Sequence, residues 1–255
     1  MSYEGFANYY DALMEDMPYP QWIDFAENCW GKEEKPKTIV DLGCGTGNIS
    51  IPLAEKGFQV YGIDRSSEML TIATQKEVNH SHVIKQNGGS ITWLEQDMKD
   101  LELPSSVDCI ISFCDCYNYI TDEAHIVQSF KKVYEYLKSK GLFIFDMLTE
   151  FQFQFYSDEQ PFTYNEENLS YIWTCAYDNE HHEIEHDLTI FAQQSDSNYL
   201  KINEIHTQRA YPIEWIKSQL SHVGFINIST FGDFEFESPN DVTNRVFFVA
   251  QKSSE

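Results

Sequence analysis

From Pro36 onward, apolar and polar positions fall into two alternating rhythms. Short apolar runs bounded by turn residues have the length of buried strands. The stretches between them repeat apolar positions three or four residues apart, as a helix face requires. Strands are expected at Thr38–Leu42 (TIVDL), Phe58–Ile63 (FQVYGI), Ile91–Leu94, Val107–Phe113 (VDCIISF) and Leu142–Leu148 (LFIFDML). Helices are expected over Asn48–Lys56, closed by Gly57, over Glu68–Val78 behind a cap at Ser66 or Ser67, and over Asp122–Ser139, stopped by Gly141. After residue 211 the rhythm resumes with a helix over Pro212–His222, Pro at its start and Gly224 at its end. Strands follow at Ile226–Phe231 and Val246–Gln251. This order predicts an α/β protein, a mostly parallel sheet that right-handed crossovers make doubly wound.

Phe151–Tyr211 breaks the rhythm. It holds 11 acids, two bases and four of the eight histidines, and its runs at 170–177, 182–193 and 199–211 alternate apolar with polar. Turn residues at Asp178–Asn179 and Ser195–Asn198 separate these runs, which predicts an inserted three-stranded antiparallel lid. An insertion that leaves from a strand C-terminus covers the ligand edge of such a sheet. Residues 1–35 read as two short helices broken at Pro18 and Pro20, a helical cap over the same edge. The expected division is thus a cap over 1–35, a sheet domain over 36–150 and 212–255, and the lid over 151–211.

Composition narrows the partners. With 255 residues, 42% apolar and 15% aromatic, the chain has the make-up of a folded globular protein. No run of about 18 apolar residues predicts a membrane span. The first residues carry acids and lack a basic or apolar signal region, so a cytoplasmic location is expected. The net charge of −24 repels nucleic acid and anionic membranes and favours cationic ligands. The six cysteines form no paired CxxC spacing and read as reduced thiols, with no metal site. Monomer and homodimer are both compatible with this composition.

The sharpest motif is Val40-Asp41-Leu42-Gly43-Cys44-Gly45-Thr46-Gly47-Asn48, a strand end, an acid, three alternate glycines and a helix start. A dinucleotide fingerprint would need glycine where Asn48 stands, and a phosphate loop would need a lysine that is absent. Asp41, at the strand end, repels a pyrophosphate and suits an ammonium group. Asp64, 21 residues past Gly43, can accept from ribose hydroxyls. Asp97 can accept from an exocyclic amine, with Met98 and Met69 as apolar cover for an adenine. An ammonium, a ribose and an adenine together describe S-adenosylmethionine.

DLGCGTG, GID at 62–64, QDM at 96–98 and the IISF-CDCYNYI stretch resemble the successive motifs of the class I S-adenosylmethionine-dependent methyltransferases. The resemblance spans 36–150 and 212–251. It implies a seven-stranded Rossmann-like sheet ordered 3-2-1-4-5-7-6 with the seventh strand antiparallel. It also implies that Gly43, Gly45 and Gly47, with Cys44 between them, border the methionine part, that Asp41 lies near its amine, and that Asp64 holds the ribose. Asp97 and Met98 then flank the adenine. The acidic meander before the last helix is similar to bacterial small-molecule N-methyltransferases acting on amino sugars or amino acids.

Methyl transfer from a sulfonium needs an aligned, deprotonated acceptor more than a fixed catalytic set. Candidates lie on three segments. The loop Phe113–Tyr119 faces the reacting end of such a site, with Asp115 beside the cofactor and Tyr117 toward the reaction. Tyr9 and Tyr10 can stand as aromatic neighbours of the sulfonium. On the strand Glu204–Tyr211, Glu204, His206 and Gln208 share one face, and His206 is the preferred base. His182-Glu183-Ile184-Glu185-His186 spells a zinc-protease motif, but on a strand its two imidazoles stand roughly 13 Å apart, too far to share a metal. The expected activity is methylation of a small molecule, an amine ahead of a hydroxyl. A non-catalytic S-adenosylmethionine-binding regulator and a nicotinamide-dependent oxidoreductase are the rival readings.

Overall fold

The apolar runs become strands in a computed structural model that describes residues 6–30, 35–194 and 198–254. In chain order the first strands are β1 (Thr38–Leu42), β2 (Gln59–Asp64), β3 (Ser90–Glu95), β4 (Val107–Ser112) and β5 (Leu137–Leu148). There follow β6 (Phe162–Asn165), β7 (Leu169–Asp178), β8 (Glu183–Gln193), β9 (Tyr199–Arg209), β10 (Phe225–Gly232) and β11 (Arg245–Lys252). The helices are α1 (Ala7–Leu13), α2 (Tyr19–Cys29), α3 (Ser50–Glu55), α4 (Ser67–Gln86), α5 (Glu123–Tyr136), α6 (Glu150–Glu159) and α7 (Ile213–Val223). The main sheet has seven strands in the order β10-β11-β5-β4-β1-β2-β3, which is the expected order once the lid strands are counted. Only β11 runs against its neighbours, antiparallel to both β5 and β10.

Apolar clusters cover both faces of this sheet. Phe143, Phe145 and Phe248 stack beneath α5 and α7, while Ile39, Ile111, Ile144 and Phe247 face α2 and α3. Each of these fully buried side chains contributes about 1.5–3 kcal/mol by leaving water. Covering both faces is what lets β4 and β5 be continuous apolar runs. The C-terminal ends of β1, β2 and β4 then open on one edge, where the polar loops gather.

Several local expectations are corrected. The lid has four strands, ordered β6-β7-β8-β9, because β6 pairs antiparallel with β7. Phe162 packs on Trp173 and Tyr164 on Tyr171, with ring centroids 4.7 and 5.5 Å apart. The helix α6 before it was not expected. Thr149 caps it by accepting from the Gln152 amide, and the Thr149–Gln152 spacing is a capping signature readable in the sequence. The helix expected over Asp122–Ser139 ends at Tyr136, and β5 begins at once with an irregular register against β4. Gly141 lies inside that strand, where a Cβ would stand 2.9 Å from the Lys138 carbonyl and 3.0 Å from that of Asp108. The helix expected over Glu68–Val78 runs on to Gln86, anchored by the buried Ile84. Pro20 sits in the first turn of α2 and starts that helix rather than breaking one. Of the Ser195–Asn198 turn, residues 195–197 lie outside the described residues, as do 1–5 and 31–34 of the expected cap and Glu255.

Candidate active site

A cavity of about 760 Å³ lies at the strand-end edge, walled by the glycine loop on one side and by the lid strands β7–β9 on the other. Gly43, Gly45 and Gly47 all have positive φ, so the loop can fold back on the sheet without side chains in the way. Its near end is fixed to β2: the amides of Gly43 and Cys44 donate to the Ile63 carbonyl, and that of Gly45 donates to Asp64 Oδ2 at 2.8 Å. A Cβ on Gly43 would lie 2.6 Å from Cys116 Sγ, whereas one on Gly45 would meet nothing within 4 Å. Gly43 is therefore demanded by packing and Gly45 borders open space.

The strand-end acids differ in state. Asp41 is 2% exposed and accepts from Ser50 Oγ at 2.6 Å. Burial, with the charge of Asp64 adding to it, pushes its pKa up to about 7. Asp64 is raised by burial too, although each of its oxygens accepts a backbone N–H, from Gly45 and Ser66. Burial alone would raise Asp97, but the ammonium and amide of Lys99 overcome it and hold it below the usual carboxylate range. Cys44 and Met69 are buried against the cavity and Met98 lines it beside Asp97.

The opposite wall contains a hydrogen-bonded chain drawn from three parts of the fold. Trp173 Nε1–H donates to His186 Nδ1 at 3.1 Å, and an indole nitrogen can only donate. His186 Nδ1 is therefore the acceptor and Nε2–H donates to Gln208 Oε1 at 3.1 Å. The same Gln208 amide donates from Nε2 to Asp115 Oδ2 at 2.7 Å. Arg245 donates to Asp115 Oδ1 at 2.9 Å and to the buried Asp146. Burial pushes Asp146 up to about 6 even beside that guanidinium, and the two carboxylates hold Arg245 well above its usual range. Cys114 and Asp115 have positive φ, which turns the loop so that the Asp115 carboxylate reaches this chain.

The predicted catalytic residues separate. His206 and Tyr10 both line the cavity. Burial lowers the His206 pKa, helped by His186 and Arg65, so the imidazole is neutral at pH 7, and its ring lies between Phe6 and Tyr119. Burial likewise raises the Tyr10 phenol. Tyr117 is corrected: it is fully buried among Phe130, Phe143 and Phe145, with its hydroxyl 2.8 Å from Ser129 Oγ. The 3-10 turn over Cys116–Tyr119 sends 117 into the core and leaves Tyr119 on the cavity. Tyr9 is corrected as well. Phe6 and Tyr10, four apart, share the cavity face of the first helical turns, while Tyr9 turns to the lid and accepts from Gln194 Nε2 at 3.0 Å. In the zinc-like motif, His186 is paired inside β8, while His182 sits in the preceding turn at φ 55 beside Glu150.

Two contributors were missed, His186 and Arg245, while Gln208 was placed on the His206 face without a role. Strand parity places His186 and Gln208 on the inner lid face with His206, so their signal was present. Arg245 immediately precedes the expected last strand, whose antiparallel direction brings its start to the open edge, but its carboxylate partners lie 99 and 130 residues away.

Residues 39–141 match the model of a methyltransferase domain. The chain is 38% identical over 255 residues to a Geobacillus sp. (strain WCH70) protein that bears the name of a methyltransferase, covering 99% of this chain and 100% of that one. A solved S-adenosylmethionine-dependent methyltransferase from Clostridium acetobutylicum superposes with a TM-score of 0.83 at 27% identity, covering 98% and 99% of the two chains. CalS10, an amino pentose methyltransferase of Micromonospora echinaspora solved with S-adenosylmethionine, shares the fold at a TM-score of 0.70 and 13% identity over 96% of each chain. The fold and its glycine-loop site thus define a Rossmann-like transferase. Within that class, the chain belongs to the S-adenosylmethionine-dependent methyltransferases.

The residues present fit that cofactor. Gly45 leaves the space a nucleoside needs, Asp64 keeps lone pairs for ribose hydroxyls, and Asp41 is a buried carboxylate whose charge an ammonium would balance. Bound there, S-adenosylmethionine supplies a methyl group already activated on a sulfonium. The protein's own part is to align the acceptor, exclude water and take up a proton. Among the described residues no helix is long and apolar enough to cross a membrane.

Proposed function

We propose that the protein methylates the amine of a small molecule, with the acceptor held between the lid and Asp115. The observation that carries this reading is the pairing of a fixed carboxylate with a neutral base on the lid wall. Asp115, fastened by Gln208 and Arg245, offers its remaining lone pairs to an N–H donor. His206, kept neutral by burial, can accept the proton an amine must lose before it attacks. Tyr10 and Tyr119 line the same space and exclude water from it. His186 is unsuited to the proton transfer because both ring nitrogens are engaged by Trp173 and Gln208. The amino pentose methyltransferase that shares this fold supports an amine over a hydroxyl.

The test is transfer of labelled methyl from S-adenosylmethionine to matched panels of amines, alcohols and thiols. Amines are expected to turn over, with kcat/KM rising through an apparent pKa below that of free imidazole, and His206→Gln is expected to remove that limb. Transfer to alcohols alone would overturn the amine reading. Binding of S-adenosylhomocysteine with no transfer to any panel member would make the protein a regulator.

A further inference from the structure

A second polar cluster lies outside the groups used so far, behind the glycine loop. It joins Asp11 of α1, Thr46 and Asn48 of the loop, and Lys76 of α4. Asp11 Oδ1 accepts from Thr46 Oγ1 at 2.6 Å and from Asn48 Nδ2 at 3.0 Å, partners 35 and 37 residues away. Its Oδ2 accepts from Lys76 Nζ at 2.7 Å, and Lys76 also donates to Asn48 Oδ1. Burial alone would raise the Asp11 pKa, but the bonds from Lys76, Thr46 and Asn48 outweigh it, and the carboxylate stays ionised.

Asp11 adds side-chain anchors to the far end of the loop, where backbone bonds already tie Gly47 to Cys44 and Ile51. The near end of the loop is tied by backbone amides to β2 and Asp64, but between Gly45 and Asn48 only Thr46 and Asn48 carry side chains beyond hydrogen, and both bond to Asp11. Thr46 and Asn48 line the cavity one step past the open space at Gly45. The helix that carries Asp11 also gives Tyr10 and Leu13 to the cavity wall, with Phe6 just before its first turn. Its other attachments are apolar contacts with α4 and the lid and the Tyr9–Gln194 hydrogen bond. One carboxylate thus fastens both the far end of the loop and the helix above it.

We propose that Asp11 is a positioning residue for the cofactor, the centre of a latch that sets the glycine loop and holds α1 down over the bound nucleoside. Release of the ligand then requires the Asp11–Thr46–Asn48–Lys76 cluster to open. The inference rests on the family's cofactor and is independent of which acceptor is methylated.

The test uses S-adenosylhomocysteine as probe, with calorimetry for affinity and stopped flow for rates, on the full chain. Asp11→Ala is expected to raise the dissociation rate and the Kd by about tenfold or more, with the association rate little changed. Amide exchange over Ala7–Leu13 in the ligand-bound protein is expected to quicken with it. Lys76→Met is expected to speed dissociation by about threefold, and the double variant to be no worse than Asp11→Ala, because the residues act as one unit. A purely structural strut would lower the melting temperature of Asp11→Ala and leave the dissociation rate within about twofold of the parent, and that result overturns the proposal. Should Asp11→Ala fail to fold, Lys76→Met alone decides, an unchanged dissociation rate again being the overturning result.

Discussion

The two walls of the cavity are built by opposite means. The wall assigned to the cofactor is built mostly from one continuous strand–loop–helix–strand stretch, Asp41 to Asp64, joined by Met69, Asp97 and Met98, and main-chain amides and positive φ angles shape its loop. The wall proposed for the acceptor is assembled from side chains remote in sequence: Asp115 meets Gln208 and Arg245 across 93 and 130 residues. A site made of backbone tolerates change everywhere except where a side chain would fill it. A site made of side chains depends on each partner, because removing one leaves a buried charge uncompensated.

That contrast predicts separable failures. Arg245→Met is expected to cost about 3–5 kcal/mol in denaturant unfolding, since Asp115 and Asp146 lose their shared cation, while S-adenosylhomocysteine still binds the folded fraction. Gly45→Arg should weigh the other way, weakening S-adenosylhomocysteine by about 100-fold or more in calorimetry while the left-handed backbone at 45 costs about 1–2 kcal/mol in unfolding, less than Arg245→Met. If both variants lost binding and stability together, the two walls would be one cooperative unit and the contrast would fail.

Asp41 sharpens the comparison through pH. Its carboxyl is raised to about 7 in the folded protein, so the native state keeps a proton that the unfolded chain has given up. The stability this contributes is present in acid and is lost as pH rises from about 4 through about 7. Asp41→Asn is therefore expected to flatten the fall in melting temperature over that window and to be more stable than the parent at pH 8. The parent should release a proton on binding S-adenosylhomocysteine near neutral pH, seen as a buffer-dependent binding heat, and the variant should not. Equal proton release from both would detach Asp41 from the ammonium.

The smallest effect concerns Tyr117. Losing its hydroxyl as Tyr117→Phe should cost about 1 kcal/mol, because Ser129 loses its partner, with binding and turnover unchanged. A drop in turnover at constant stability would return Tyr117 to the reacting side of the loop.

The same contrast explains which features are legible in the amino-acid order alone. The cofactor wall was legible because its parts are neighbours in sequence: an acid ending a strand, three glycines, and the next strand's acid. The parallel core was legible because buried strands are apolar runs. The lid was visible as alternation, and that parity already put Gln208 beside His206. Tyr117 and Tyr9 went astray because a 3-10 turn and a short helix change a side chain's direction with every residue, which composition does not register. β6 escaped because four residues are too few for a pattern. Arg245 escaped because the carboxylates it joins, Asp146 and Asp115, lie 99 and 130 residues away in the chain.

The reversed last strand also orders how the molecule is made. Asp146 lies in the middle of the sheet, fully buried, yet the cation that neutralises it arrives 99 residues later in the chain. During synthesis, β1 to β5 can collapse only around a protonated or still hydrated Asp146. Docking of β11 is then the event that both completes the sheet and brings the shared cation, so a half-folded chain has no guanidinium to fix Asp115.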